Sequence, residues 1–144
     1  MSDGVYLGDN LPGRVTKTME RLFWISLAGA GGTAARYLIT IAIAQRFGSA
    51  LPYGTLFVNL TGCCAIAALV PAGAALGWSP TVRTAVTVGF LGGFTTYSSF
   101  NYETMRLWES DASAAAMLNV AITVVGGLVA GWLGIVVGRQ FAAP

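Results

Sequence analysis

Two sets of polar side chains sit at helical spacing inside otherwise apolar stretches of this chain, and they are the residues with chemistry to offer. Thr55, Asn59 and Gly62 share a face of one run, and Thr96, Ser99 and Glu103 share a face of another, because residues three and four apart align along a helix. An asparagine amide brings two N–H donors and a hydroxyl brings one O–H. At membrane depth such groups either hold helices together or present neutral donors to an anion. Beside the second set, Phe90, Phe94, Tyr97 and Phe100 recur at intervals of four, three and three. The stripe reads as packing at Phe90 and Phe94. Tyr97 and Phe100 lie past a glycine pair and among hydroxyls, which favours a site.

The stretch GFLGGFTTYSSFNYE, Gly89 to Glu103, carries three glycines and four Ser/Thr residues where a membrane helix ordinarily carries Leu, Val and Ala. In hydrocarbon an unwound backbone survives only where protein buries it or water lines it, so this composition predicts a binding or conduction site. Arg36 is the one charge in the first apolar run, on a face with Gly29 and Gly32. It either snorkels to the interface or faces a protein interior or aqueous cavity, and the sequence alone leaves both open.

Other chemistries lack their residues. There is no histidine, and the only cysteines are the adjacent Cys63 and Cys64, so a zinc site, a disulfide framework and a histidine-based catalytic set are all without ligands or base. Every Asp lies outside the apolar runs. The chain is not expected to be an enzyme. Its net charge of +2 is small and scattered, which excludes a nucleic-acid surface.

The elements that must position these residues are membrane helices. The chain is 55% hydrophobic and 10% charged, against roughly a quarter charged in a soluble domain. The expected fold is an all-α membrane protein of one domain. A polar tail, residues 1–21, precedes a transmembrane domain, 22–139, and a short tail, 140–144. Four spans are expected, at about 22–45, 53–76, 81–108 and 113–138, the third broken near its middle. Each is long enough to cross the hydrocarbon at about 1.5 Å per residue. Pro71 is expected to kink the second run or mark its exit, and Trp78 to anchor the next turn at the interface. Arg106, Glu109 and Asp111 mark a loop. Gly127, Gly131, Gly134 and Gly138 line one face of the fourth run, a signal for close helix packing.

Four spans put both termini on one side, with Arg14, Lys17, Arg21, Arg83 and Arg139 there against Arg46 and Arg106 opposite. The positive-inside rule then favours internal termini. Three of the five belong to the tail or its edge, and without them the count is two against two. The body of the chain is nearly unbiased for insertion.

Three segments together resemble the bacterial Fluc (CrcB-type) fluoride channels. GFLGGFTTYSSFNYET resembles the family's glycine and Thr-Thr-Phe-Ser-Thr-Phe signature, YGTLFVNLTG its second-helix segment, and GTAARY its first-helix arginine. The likeness runs in order from about Leu22 to Arg139. It implies a dual-topology homodimer in the bacterial inner membrane, two inverted four-helix subunits enclosing two antiparallel fluoride pores. It also implies a structural sodium ion at the dimer centre, held by the backbone carbonyls of Gly92 and Thr95. The paired pore phenylalanines map to Tyr97 and Phe100, the pore amide to Asn59 and the vestibule cation to Arg36. Thr55, Thr96, Ser99 and Glu103 fall on neighbouring polar positions.

Fluoride is small and tightly hydrated, so a pore must replace its water with donors. The implied partners are fluoride, sodium, membrane lipid and a second copy of the chain. Tyr97 departs from the family's phenylalanine by adding a hydroxyl, and Asn119 stands where some relatives carry a tyrosine. A small proton-coupled multidrug exporter would need a carboxylate deep in the first span, where this chain has Arg36. A non-transporting assembly subunit would leave Asn59, Arg36 and the clustered hydroxyls unexplained.

Overall fold

The computed structural model describes residues 11–142, and among them every regular element is helical. The expectations for the tail before Leu11 and for residues 143–144 lie outside the described residues, as does the side chain of Arg14. Helix α1 runs Leu11–Phe47, and α2 runs Tyr53–Ala75. The third run comprises α3 (Pro80–Thr84), a π-helical stretch (Ala85–Leu91), α4 (Gly92–Phe94) and α5 (Tyr97–Glu109). The fourth comprises α6 (Ser113–Ala121), a π-helical stretch (Ile122–Gly126) and α7 (Gly127–Ala142).

Among the described residues, three helices are long and apolar enough to cross a membrane: Val15–Phe47, Tyr53–Ala75 and Ser113–Phe141. The third run differs because Thr95 and Thr96 are extended, with φ/ψ of −89°/158° and −151°/122°. Its longest α-helical piece, α5, has 13 residues, which covers only about 20 Å of a hydrocarbon core of about 30 Å.

Local chemistry sets most boundaries. Gly48 and Gly77 adopt positive φ, 76° and 67°, the left-handed turn that ends many helices. At the second, the Trp78 N–H returns to the Gly73 carbonyl at 2.9 Å, and the indole lies against Gly73. Ser79 caps α3, its Oγ accepting from the Val82 N–H at 3.3 Å with Pro80 behind it, a proline suited to the first helical turn. Pro71 does not stop α2, which continues to Ala75. Helix α1 begins ahead of the apolar run, so Lys17, Glu20 and Arg21 are exposed helical residues. Arg106 and Glu109 are helical rather than loop residues, and the connection is reduced to 110–112. A basic Arg106 in the last turn complements the negative helix end, and Asp111 makes the reversal with φ 60°.

Helix α2 is the most enclosed span, with 28% of its apolar window buried against 6% for α1. Its largest interface is with α7. A Cβ added at Gly134 would fall on the Cys64 carbonyl, and one at Gly138 would lie 2.7 Å from that of Ala68. Gly131, expected on the same face, has nothing within 4 Å. Helix α1 packs instead on the π-helical stretch 85–91 and on α4, so close that a side chain at Gly32 would strike the Phe90 carbonyl. Much of the remaining apolar surface is uncovered within the single chain, with Leu128, Trp132, Val88 and Tyr37 among the exposed residues. Continuous exposed apolar surface of this kind meets lipid or another subunit.

Candidate functional site

The site is built around the two extended residues of the third run. Continuing the helix would pair the Thr96 N–H with the Gly92 carbonyl, four residues back. Instead the Thr96 N–H donates to Asn59 Oδ1 at 2.8 Å, and Asn59 Nδ2 donates to the Thr96 carbonyl at 2.9 Å. The amide of Asn59 thus clasps one peptide group of the break through both its polar atoms. Backbone groups at this depth must be paired, and α2 supplies the partner. Close approach is possible because Gly62, on the same face of α2, lies under the Thr95 methyl.

Helix α1 supplies the second clasp. Arg36 Nε donates to the Gly93 carbonyl at 3.1 Å, an oxygen that helix continuation would have paired with Tyr97. The half-buried guanidinium therefore sits at the break, not at the outer end of α1. Thr95 folds back, its N–H and Oγ1 both donating to the Leu91 carbonyl at 3.0 Å. Helix α5 then restarts from Thr96, whose Oγ1 accepts from the Ser99 N–H at 3.2 Å and donates to Ser99 Oγ at 3.1 Å. This is an N-cap, the usual task of threonine at that position.

Two helix ends consequently stand back to back. The carbonyl end of residues 80–94 carries partial negative charge and the N–H end of α5 partial positive charge. Among the described residues no three His, Cys, Asp or Glu side chains converge on a metal-sized site, so the oxygen ligands available at the break are carbonyls and hydroxyls. The Gly92 carbonyl is relieved of its helical partner, and Gly92 is exposed on the outer side of the run.

Clefts flank the break on two sides. One, of about 240 Å³, is bounded by Thr33, Arg36, Thr40, Thr55, Thr96, Ser99 and Glu103. Within it Thr55 Oγ1 donates to Glu103 Oε1 at 2.8 Å, while Glu103 Oε2 is buried without a partner. The other, of about 310 Å³, is bounded by Asn59, Gly62, Gly92, Thr95, Thr96, Tyr97, Phe100 and Thr123 among others. Tyr97 and Phe100 meet edge-on there, centroids 5.6 Å apart, with Phe100 8% and Tyr97 80% exposed. Phe90 and Phe94 stack on each other at 5.9 Å and take no part in this cleft.

Each residue assigned to the pore or the sodium site from the sequence borders one of these two clefts: Arg36, Thr55, Ser99 and Glu103 the first, Gly92, Thr95, Tyr97, Phe100 and Asn59 the second, and Thr96 both. Thr123 was not singled out. Its Oγ1 is buried without a partner and it borders the Phe100 cleft. The signal was available, since Thr123 lies one turn beyond Asn119 on the same helical face. Asn119 itself is 1% exposed and donates through Nδ2 to Thr104 Oγ1 at 2.8 Å, which donates to the Phe100 carbonyl at 2.7 Å. Helix α6 is thereby pinned to the turn that carries Phe100.

Residues 23–135 match the model of the family described as CrcB-like protein, Camphor Resistance (CrcB). A "Fluoride-specific ion channel FluC" from Sorangium cellulosum is 51% identical over 126 residues, covering 87% of this chain and 99% of that protein. Proteins of the same name from Citrifermentans bemidjiense and Chloroflexus aurantiacus are 44% and 42% identical, covering 84% and 85% of this chain and 98% of each relative. With a match of this extent, and with helices able to cross a membrane, the chain belongs to the CrcB-like membrane protein family.

Proposed function

We propose that this protein is a fluoride-selective channel, a passive conduit and not an enzyme, that lets cytoplasmic fluoride leave across the bacterial inner membrane. The observation that carries the reading is the pair of opposed helix ends at Thr95–Thr96, flanked by clefts whose polar groups are mostly uncharged donors. The N–H end of α5, the Ser99 and Thr123 hydroxyls, the second N–H of Asn59 and the ring edges of Tyr97 and Phe100 would replace fluoride's water. Neutral donors bind firmly enough to admit the ion and weakly enough to release it. Arg36 adds positive potential at the break. The names carried by relatives covering 84–87% of the chain agree with it.

The finer arrangement is part of the proposal. Each subunit would place four helices across the membrane, the third interrupted, and two inverted copies would enclose two antiparallel pores. The exposure of Tyr97, 80% in the single chain, supports a second copy completing the ring cage. Sodium fits the break: the Gly92 carbonyl has lost its helical N–H, and hard oxygens suit a hard cation. Gly92 and Thr95 would hold it, and its charge would join the two subunits.

Efflux from liposomes holding the purified protein tests the reading. Fluoride should leave at a rate well above empty vesicles, with chloride retained. Absence of fluoride flux would end it. Phe100→Ile should cut flux at least tenfold while the dimer persists on size exclusion, and unchanged flux would remove that ring from the pore.

A further inference from the structure

The cleft at Glu103 does not end there. A second, of about 350 Å³, shares Thr40, Thr55 and Glu103 with it and reaches outward to Ser49, Arg106 and Ser110. The two clefts adjoin at these residues and mark out a passage from the connection between α1 and α2 to the break. Two charged side chains border its outer part. Glu103 is half-buried, one oxygen held by Thr55 and the other unpartnered. Arg106 follows three residues later, so the two share a helix face about 5–6 Å apart at Cβ. The Arg106 guanidinium is exposed and makes neither ion pair nor hydrogen bond among the described residues.

An anion entering from this side must pass Glu103, whose carboxylate repels it. Arg36, deeper in, already has its Nε on the Gly93 carbonyl. We infer that Arg106 is the entry cation of the passage: it offsets the field of Glu103 and raises the local concentration of the permeating anion. This rests on the channel reading. A guanidinium held free of any partner at the mouth of a low-dielectric cleft is placed to focus a field there. Arg46, at the end of α1 and on the same end of the molecule, is a built-in contrast. It too is exposed, yet it lies over the Phe47 ring at 5.9 Å and borders neither cleft.

The test is fluoride efflux from liposomes at low and high ionic strength, with fluoride kept below saturation. The Debye length falls from about 30 Å at 0.01 M to about 3 Å at 1 M, so a steering charge acts only in the first condition. Arg106→Gln should lower flux about three- to tenfold at low ionic strength and come within twofold of wild type at high. Arg106→Lys and Arg46→Gln should stay near wild type in both. Equal flux for Arg106→Gln and wild type at low salt overturns the inference. So does an equal loss at both salt concentrations, the mark of a structural role, or an equal loss from Arg46→Gln, the mark of general surface charge. A wild type without fluoride flux is a separate result: it removes the channel reading and this inference with it.

Discussion

Along the seam between α2 and α7, side chains at Gly134 and Gly138 would collide with the carbonyls of Cys64 and Ala68; where α1 crosses the third run, one at Gly32 would collide with that of Phe90. Both contacts use glycine to bring backbones together, the ordinary device of membrane helix packing. Among the described residues the seam carries no imported polar clasp, and α2 runs through it without interruption. Past the crossing the backbone parts at Thr95–Thr96, and Asn59 and Arg36 hold it open from two other helices. Small residues therefore account for proximity in both places. What makes one of them a site is backbone that must find its partners outside its own helix.

The largest expected effect would break the seam. Gly134→Leu forces a branched side chain against main-chain atoms that cannot swing aside, and overpacking typically costs about 1–3 kcal/mol, more when only backbone can yield. We expect at least about 3 kcal/mol, seen as loss of folded protein in a thermal melt in detergent. A melt like that of wild type would show that the two helices can separate freely.

Asn59→Leu should do less to the fold and more to the break. It keeps the number of side-chain heavy atoms and strips partners from the Thr96 N–H and carbonyl, at about 1–3 kcal/mol for each group left unpaired. Hydrogen exchange should accelerate at the Thr96 amide and leave the α2–α7 amides protected. Uniform acceleration would mean that the clasp supports the whole molecule, and the contrast between the two regions would fall.

The smallest effect has the opposite sign. Gly131→Ala fills open space on α7 and removes helix-interior glycine, worth about 0.5–1 kcal/mol in favour of folding. A rise of a few degrees in melting temperature is expected. A fall would place Gly131 in a contact that forms only between chains.

Much of the site was legible because spacing within one helix is a local property. Thr55 and Asn59 had to share a face, as did Thr96, Ser99 and Glu103, whatever packed against them. The glycines of Gly89–Gly93, set among hydroxyls, announced an interruption of the span in the same way. Periodicity could not say which face meets which, and so Gly131 was grouped with Gly134 although only the latter meets α2. Loop chemistry at Arg106 and Glu109 misled for a related reason. Charged residues end a span in hydrophobic pattern but not in backbone hydrogen bonding, and α5 continues through both into the interface.

Composition and pattern alone determined that this is a helical membrane protein, because burial in hydrocarbon demands long apolar helices and those demands are written residue by residue. Only the tertiary structure decided what Asn59 and Arg36 do. Each has donors that would serve an anion, a headgroup or a neighbouring helix equally well. The choice was made by distance: 2.8 and 2.9 Å to one peptide of the third run for Asn59, and 3.1 Å to the Gly93 carbonyl for Arg36. A hydrogen bond is lost within a fraction of an ångström of misplacement, and positions that fine are set by how α1, α2 and the third run pack together, which no single helix encodes.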